Sequence, residues 1–350
     1  MEKMNLVSGM RSTGKLHLGH YMGVLTNWVK LQEEYNCFYF VADWHALTTK
    51  FDKTENLRQD KLDVVLDWLA CGIDPNKSTI YFQSKVLQIA ELHVLLSMIT
   101  PNNWVERDPT LKDMVKILKN KDGDTSDNVP QMSYGLLGYP VLMSSDIMAL
   151  NAGIVPVGVD QLAHLEITRD IARRFNNIYK TDLFHEPKPK LTDVPLLYGV
   201  DGQKMGKSFN NDIKISDDEA TTAKRVMQCI TDRSRARKDD PGHPDKCEVA
   251  FKYYQTFADE QTVQQVECEC KAGQRGCADC KRQLGAIINE KFAPIREKRI
   301  ELQKDTDKVY DIINEGNKKA VAEAEKVMKK APHLVVPIYN QWGAYFIFFK

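Results

Sequence analysis

Before residue 200 the apolar and polar positions change rhythm several times. Residues 5–9, Asn-Leu-Val-Ser-Gly, read as a strand entering a turn. Beyond Gly19 the residues Tyr21, Val24, Leu25, Trp28, Val29 and Leu31 recur at helical spacing. Residues 37–42 and 79–82 are short continuous apolar runs, the pattern of buried strands. Between them, residues 57–71 are helical, with Leu62, Val65, Leu66 and Leu69 on one face and Gly72 as a C-cap. Strands alternating with helices predict a parallel α/β sheet, whose ligands sit beyond the carboxyl ends of the strands. Residues 43–46 read as a turn at one such end. Residues 119–133 are polar and periodless, an exposed loop. Asp160 and Gln161 open a long helix with Leu162, Leu165, Ile171, Ala172 and Phe175 on its apolar side and Asp170 facing Arg173 and Arg174. Ser216 and Glu219 give a capping-box signal, after which the chain is helix-rich to about Met328.

These rhythms place a boundary near residues 209–215. The expected units are a catalytic domain over 1–212 with an inserted helical segment, a helical domain over 213–331, and a tail over 332–350 of unassigned role. The tail switches to aromatic, β-prone residues. Composition changes this picture little: of 350 residues, 43% are apolar and 27% charged, as in ordinary globular proteins. No apolar run approaches the ~20 residues that span a bilayer. The N-terminus lacks a secretory pattern, so the cytoplasm is the expected location. The 48 basic and 48 acidic residues cancel, so a nucleic-acid partner would need local patches. The basic stretches are residues 224–238, with Lys224, Arg225, Arg233, Arg235, Arg237 and Lys238, and residues 318–330.

Candidate chemistry concentrates in two short motifs. His17-Leu18-Gly19-His20 follows the first predicted strand, at a predicted helix N-terminus where free N–H groups and the macrodipole favour phosphate. Gly19 there leaves the backbone open to a nucleotide. Lys204-Met205-Gly206-Lys207-Ser208 offers two point charges on a loop starting at Asp201-Gly202. A decoy overlaps the first motif: residues 9–15 read G-x-x-x-x-G-K, but Leu16 replaces the magnesium-binding hydroxyl of a P-loop. Together the two motifs resemble the HIGH and KMSKS signatures of class I aminoacyl-tRNA synthetases. That resemblance implies attack by an amino-acid carboxylate on the α-phosphate of ATP, with His17, His20, Lys204 and Lys207 as catalytic residues.

The middle of the chain sharpens the resemblance. Residues 40–48 (FVADWHALT), 139–147 (YPVLMSSDI) and 155–176 (VPVGVDQLAHLEITRDIARRFN) are similar to bacterial tryptophanyl-tRNA synthetases. The likeness covers most of residues 4–335. It implies an α/β fold: a Rossmann-like parallel-sheet catalytic domain followed by a helical anticodon-binding domain, in a homodimer. It also implies tryptophan, ATP with Mg2+, and tRNA(Trp) as partners, without a membrane. Carried over, Asp146 accepts the indole N–H, Tyr139, Met143, Val155 and Val157 wall the pocket, and His45 and Gln161 lie near the amino acid. Arg11, Ser12, Thr13, Gly19, His20, Gly158 and Asp160 match ATP-contacting positions, with residues 204–208 closing on the phosphates. Gly206 departs from the family's serine; Val159 and Ser145 replace its usual Glu and Ala. Residues 158–161 also resemble tyrosyl-tRNA synthetases, so tyrosine is the alternative substrate. A related nucleotidyltransferase and a redox-sensing RNA-binding protein are further alternatives.

Five of the eight cysteines lie within residues 247–280, a polar segment that metal ligation would tie together. A disulfide framework does not suit a cytosolic enzyme. Spacing alone leaves Cys₄ zinc and iron–sulfur both open. Cys247, Cys270, Cys277 and Cys280 resemble the [4Fe–4S] motif of a subset of bacterial tryptophanyl-tRNA synthetases; Zn2+ is the alternative, and Cys268 is a spare ligand.

Overall fold

The computed structural model describes residues 3–12, 14–109, 111, 132–191 and 197–335, without the side chains of Asp160 and Ser208. Thr13, those two side chains, most of the predicted 119–133 loop and the tail from 336 onward therefore lie outside the described residues. The chain builds a five-stranded parallel sheet in the order β3-β2-β1-β4-β5. The strands are β1 (Asn5–Arg11), β2 (Asn36–Ala42), β3 (Ser78–Phe82), β4 (Ile154–Val157) and β5 (Lys188–Leu191). The order steps outward in both directions from β1, so chain direction across the sheet reverses there. Loops on either side of that switch leave a crevice at the strands' carboxyl ends.

Alternation along the strands fills two cores. Leu6, Met10, Cys37, Tyr39, Val41, Ile80 and Phe82 face one cluster, with Trp28, the apolar residues of α4 (Leu57–Ala70) and C-terminal residues including Tyr253, Leu284 and Phe292. Val7, Phe38, Phe40, Ala42 and Tyr81 face the other, with α5 (Leu87–Ser97) and the helices Tyr139–Ala149 and Leu162–Tyr179. This period-2 division is why a sheet buried on both faces reads as continuous apolar runs. The C-terminal helices share the first core with the sheet.

The helix Thr306–Met328 serves both cores. Val309 and Ile313 pack into the first, and Ala320, Ala324 and Val327 into the second. Between them the helix crosses the edge strand β3, where Asn317 Oδ1 accepts the Phe82 N–H at 3.0 Å. It thereby covers an edge that would otherwise present unpaired backbone groups. Gly316 allows the crossing, since a Cβ there would lie 1.8 Å from the Ile80 carbonyl oxygen.

Two local expectations are corrected. Residues 43–46 are not a turn: the helix α3 (Asp43–Lys50) starts directly at the end of β2. The helix Glu219–Met227 is capped by Asp218, whose Oδ1 accepts the Thr221 N–H at 2.6 Å, rather than by Ser216. Aspartate three residues before the accepted amide is an equally good cap.

Gly316→Ala is expected to destabilise the protein by roughly 1–3 kcal/mol through overpacking. A lowered urea midpoint checks this; an unchanged midpoint would mean that the helix does not press on β3.

Candidate active site

His17 and His20 sit where β1 gives way to helix. The helix begins as α1 (Leu18–His20), passes through a π-helical turn over Tyr21–Leu25 and continues as α2 (Thr26–Glu34). The His17 N–H points to His20 Nδ1 at 3.3 Å, which leaves Nε2 of His20 as the protonated nitrogen. The two rings lie 3.7 Å apart. A Cβ on Gly19 would lie 3.0 Å from His17 Nδ1, so the close packing of that ring also favours glycine here. Burial, helped by the Lys207 charge, lowers the His17 pKa to about 4. Burial and the neighbouring His17 push His20 well below the usual histidine range. Both rings are therefore neutral donors at physiological pH, and cationic charge must come from the lysines.

The lysine loop reaches this motif from far along the chain. Leu18 N–H donates to Ile213 O and Ile215 N–H to Leu16 O, both at 2.9 Å, and His17 bridges to Lys214. Asn211, buried, latches the loop: it accepts the Gly206 N–H at 2.9 Å and donates to Asp201 Oδ1 at 2.8 Å and Lys204 O at 3.2 Å. Gly206 is thus tied despite lacking a hydroxyl. Its backbone is extended, and a Cβ would meet only the exposed Phe209 ring, at 3.1 Å. Met205 is buried in the core beneath Gly19. Lys207 Nζ donates to Gly14 O at 2.7 Å, and burial lowers its pKa to about 8 against the opposing pull of Asp67, Asp60 and Asp212.

A single cavity of about 540 Å³ opens at the carboxyl ends of β1, β2 and β4. Arg11, His20, Gly158 and Lys204 line one part; His45, Tyr139, Met143, Asp146, Val155, Val157 and Gln161 line the rest. His17 and Lys207 stand behind this wall, and Ser12 is buried beside it. Ser12 Oγ and Arg11 Nε are buried without a hydrogen-bond partner among the described residues. Such atoms are what an anionic ligand would satisfy.

Asp146 is fully buried, and burial raises its carboxyl above the usual range, opposed by hydrogen bonds. His45 Nε2 donates to Oδ2 at 2.9 Å, and Gln83 Nε2 donates to Oδ1 at 2.8 Å and Oδ2 at 3.0 Å. Gln83 Oε1 also accepts the Trp44 and His45 N–H groups. A carboxylate offers about four acceptor positions, so one remains beside the apolar slot of Met143, Val155 and Val157. Behind the slot, Tyr139 donates to Asp108 at 3.0 Å and contacts His164, while His164 Nδ1 meets Gln161 Oε1 at 2.8 Å. Gln83, Asp108, His164 and Asn211 escape sequence reasoning, because the pairs they make join residues 25 to 63 positions apart or lie inside an irregular loop. The FQS turn after β3 is the one available signal, since it ends a strand at the ligand side.

An ATP-directed end and an apolar end in one cavity describe an enzyme that joins an aromatic compound to a nucleotide. Comparison with known proteins agrees: the chain belongs to the family of class I tRNA synthetases (W and Y), whose model matches residues 1–293. The tryptophan–tRNA ligase of Thermotoga maritima is 46% identical over 329 residues, covering 93% of this chain and 97% of the relative. That of Aquifex aeolicus is 40% identical over 389 residues, covering 93% and 98%. The crystal structure of Campylobacter jejuni tryptophanyl-tRNA synthetase complexed with ADP and tryptophan superimposes with a TM-score of 0.84 at 34% identity, covering 94% of this chain and 99% of that one.

The cysteines form a second locus. Cys247, Cys270, Cys277 and Cys280 line one cavity of about 30 Å³ with Asp232, Arg235 and Arg275, whereas Cys268 is exposed and outside it. Arg235 Nη1 lies 3.9 Å from Cys277 Sγ. Among the described residues no three His, Cys, Asp or Glu side chains are gathered closely enough to hold a single metal ion.

The pH profile tests the lysine. Lys207 loses its charge as pH rises through about 8, so kcat/KM for ATP is expected to fall above that pH; His17, with its pKa near 4, adds no acid limb between about pH 5 and 7. Activity that climbs steadily past about pH 9 would contradict the assignment of charge to Lys207.

Proposed function

We infer that this chain is a tryptophan–tRNA ligase. The one acceptor position of Asp146 left beside an apolar slot supports an aromatic substrate that carries a hydrogen-bond donor, and the 40–46% identity to tryptophan–tRNA ligases favours tryptophan over tyrosine. An indole N–H fills it with a charge-assisted hydrogen bond, and an aromatic side chain without a donor leaves it unpaired. Gln161, held by His164, lies at the amino-acid end of the slot. The tryptophan carboxylate attacks the α-phosphorus of ATP, the bond to the β-phosphate oxygen breaks, and pyrophosphate leaves. His20 Nε2–H donates to phosphate oxygen, Arg11 binds the polyphosphate, and Lys204 and Lys207 meet the charge that grows on the leaving group. Magnesium, when bound with ATP, neutralises further phosphate charge. The terminal ribose hydroxyl of tRNA(Trp) then attacks the acyl carbon and AMP leaves. No protein nucleophile is required; positioning and charge carry the catalysis.

The helices after residue 213 serve as the anticodon-reading domain in this account, in keeping with the basic residues 224–238. Within that stretch Arg225 bonds Asn210, Arg235 bonds the Arg275 carbonyl and Lys238 pairs with Asp279 at 3.8 Å, while Lys224, Arg233 and Arg237 are exposed. The second basic stretch is partly self-neutralised, with Lys318 paired to Glu315 and Lys326 to Glu323. A homodimer is supported by Leu87, Val94 and Met98, exposed at or just beyond one side of α5. The ligase reading expects a cytoplasmic reaction; separately, no described helix is long and apolar enough to cross a membrane.

The four cysteines at the second cavity suit a [4Fe–4S] cluster. Cys247, Cys270, Cys277 and Cys280 would hold it, and Arg235 and Arg275 in the same lining would offset its negative charge; a single zinc ion on the same thiolates is the alternative. When bound, the cluster ties the 247–280 segment together.

Two outcomes check this reading. ATP–pyrophosphate exchange is expected with tryptophan and not tyrosine, and Asp146→Asn is expected to reduce kcat/KM for tryptophan on the order of 100-fold; preferred exchange with tyrosine would overturn the substrate. Anaerobically purified protein is expected to be brown, with iron and acid-labile sulfide that Cys270→Ser and Cys277→Ser remove. Colourless, zinc-loaded and fully active protein would exclude the cluster.

A further inference from the structure

One buried charge group plays no part in the mechanism above. Arg299, near the end of the helix Cys277–Lys304, is 3% exposed and points back into the catalytic half. Its Nη2 donates to Asp63 Oδ1 and its Nε to Asp67 Oδ1, each at 2.5 Å. Both carboxylates come from α4. The second oxygen of Asp67 accepts the backbone N–H of Leu16 at 2.6 Å. Leu16 is the residue before His17.

Burying an arginine and two aspartates costs desolvation that their attraction barely offsets, and a well-packed apolar set would stabilise the seam as well. What the triad supplies is direction. Segment 14–17 is irregular backbone between β1 and α1, and its polar groups and those of the first helical residue need assigned partners. Lys207 takes the Gly14 carbonyl, residues 213–215 take Leu16 O and Leu18 N–H, and Asp67 takes Leu16 N–H. Arg299 holds Asp67 in the orientation that does so. Asp63 shares the arginine but has no bond to the motif.

We propose that Arg299 and Asp67 are positioning residues for amino-acid activation. Through the Leu16 amide they hold the turn at His17, and with it His20, at the ATP end of the cavity. A residue of the C-terminal helices thereby completes the ATP site. The inference rests on the ligase reading and extends it to residues that touch neither substrate.

The two aspartates provide an internal control: asparagine at 63 can keep its carbonyl oxygen on Arg299, whereas asparagine at 67 has one carbonyl oxygen for two donors and must release either Arg299 or the Leu16 N–H. Asp67→Asn is expected to lower kcat/KM for ATP in tryptophan-dependent pyrophosphate exchange on the order of 10- to 100-fold, with Asp63→Asn within about 3-fold of the parent. Tryptophan affinity, read by fluorescence titration, is expected to stay within about 2-fold for both, which also certifies the fold. Should Asp67→Asn not fold, Arg299→Lys, which keeps a cation between the carboxylates but loses the guanidinium fork, is expected to show the same ATP-selective loss. Equal effects of Asp63→Asn and Asp67→Asn, parallel loss of tryptophan affinity, or unchanged ATP kinetics in folded Asp67→Asn or Arg299→Lys would overturn the proposal. Absence of exchange in the parent protein would instead refute the ligase reading.

Discussion

Two backbone hydrogen bonds, from Leu18 N–H to Ile213 O and from Ile215 N–H to Leu16 O, join the halves of the ATP-handling surface. They bring together segments separated by most of the catalytic half, against the entropy of closing so long a loop. The sheet makes this possible by ending β1 at the place where chain direction reverses. Most of the site's electrostatics follow from that contact. With the lysine loop closed, His17 and His20 are desolvated and lie near the Lys207 charge, so they stay neutral. Lys207 is itself desolvated enough to titrate near physiological pH.

The aromatic end obeys a different constraint. A carboxylate buried at Asp146 is costly unless its oxygens are occupied. Gln83 and His45 occupy them while leaving one position, and Gln83 also fixes the first turn of α3. Specificity therefore depends on a polar network whose last place belongs to the substrate. Its neighbours, Met143, Val155 and Val157, add shape but no competing donor.

Local physics was legible in the chain; long-range pairing was not. Three strands and the helices flanking them follow from short-range periodicity, whereas the paired motifs are legible only by resemblance; of their residues, His20 and Lys204 line the cavity, and His17 and Lys207 lie outside its lining. β5 carries Lys-Pro-Lys in place of an apolar run, because it is an edge strand exposed to solvent, so no hydrophobic signal marks it. The helix at Asp43 was masked by its polar and aromatic start. Gln83, Asn211 and Asp67 look like ordinary turn or helix residues until the fold supplies their partners. Arg299 is the extreme case: its partners lie 232 and 236 positions away, and within a charged helix its spacing resembles a solvated face. The four cysteines were the opposite case, since they cluster within 34 residues of sequence and share one small cavity.

The central claim is that the aromatic slot and the lysine-bearing ATP end are two parts of one preorganised cavity. Equilibrium binding of a non-hydrolysable tryptophanyl-adenylate analogue tests it most directly, because that molecule spans both parts. The account predicts binding at least about 100-fold tighter than tryptophan alone, weakened both by Asp146→Asn and by His20→Ala, whose parent ring meets the α-phosphate. An analogue that binds no more tightly than tryptophan, or that is indifferent to His20→Ala, would contradict it.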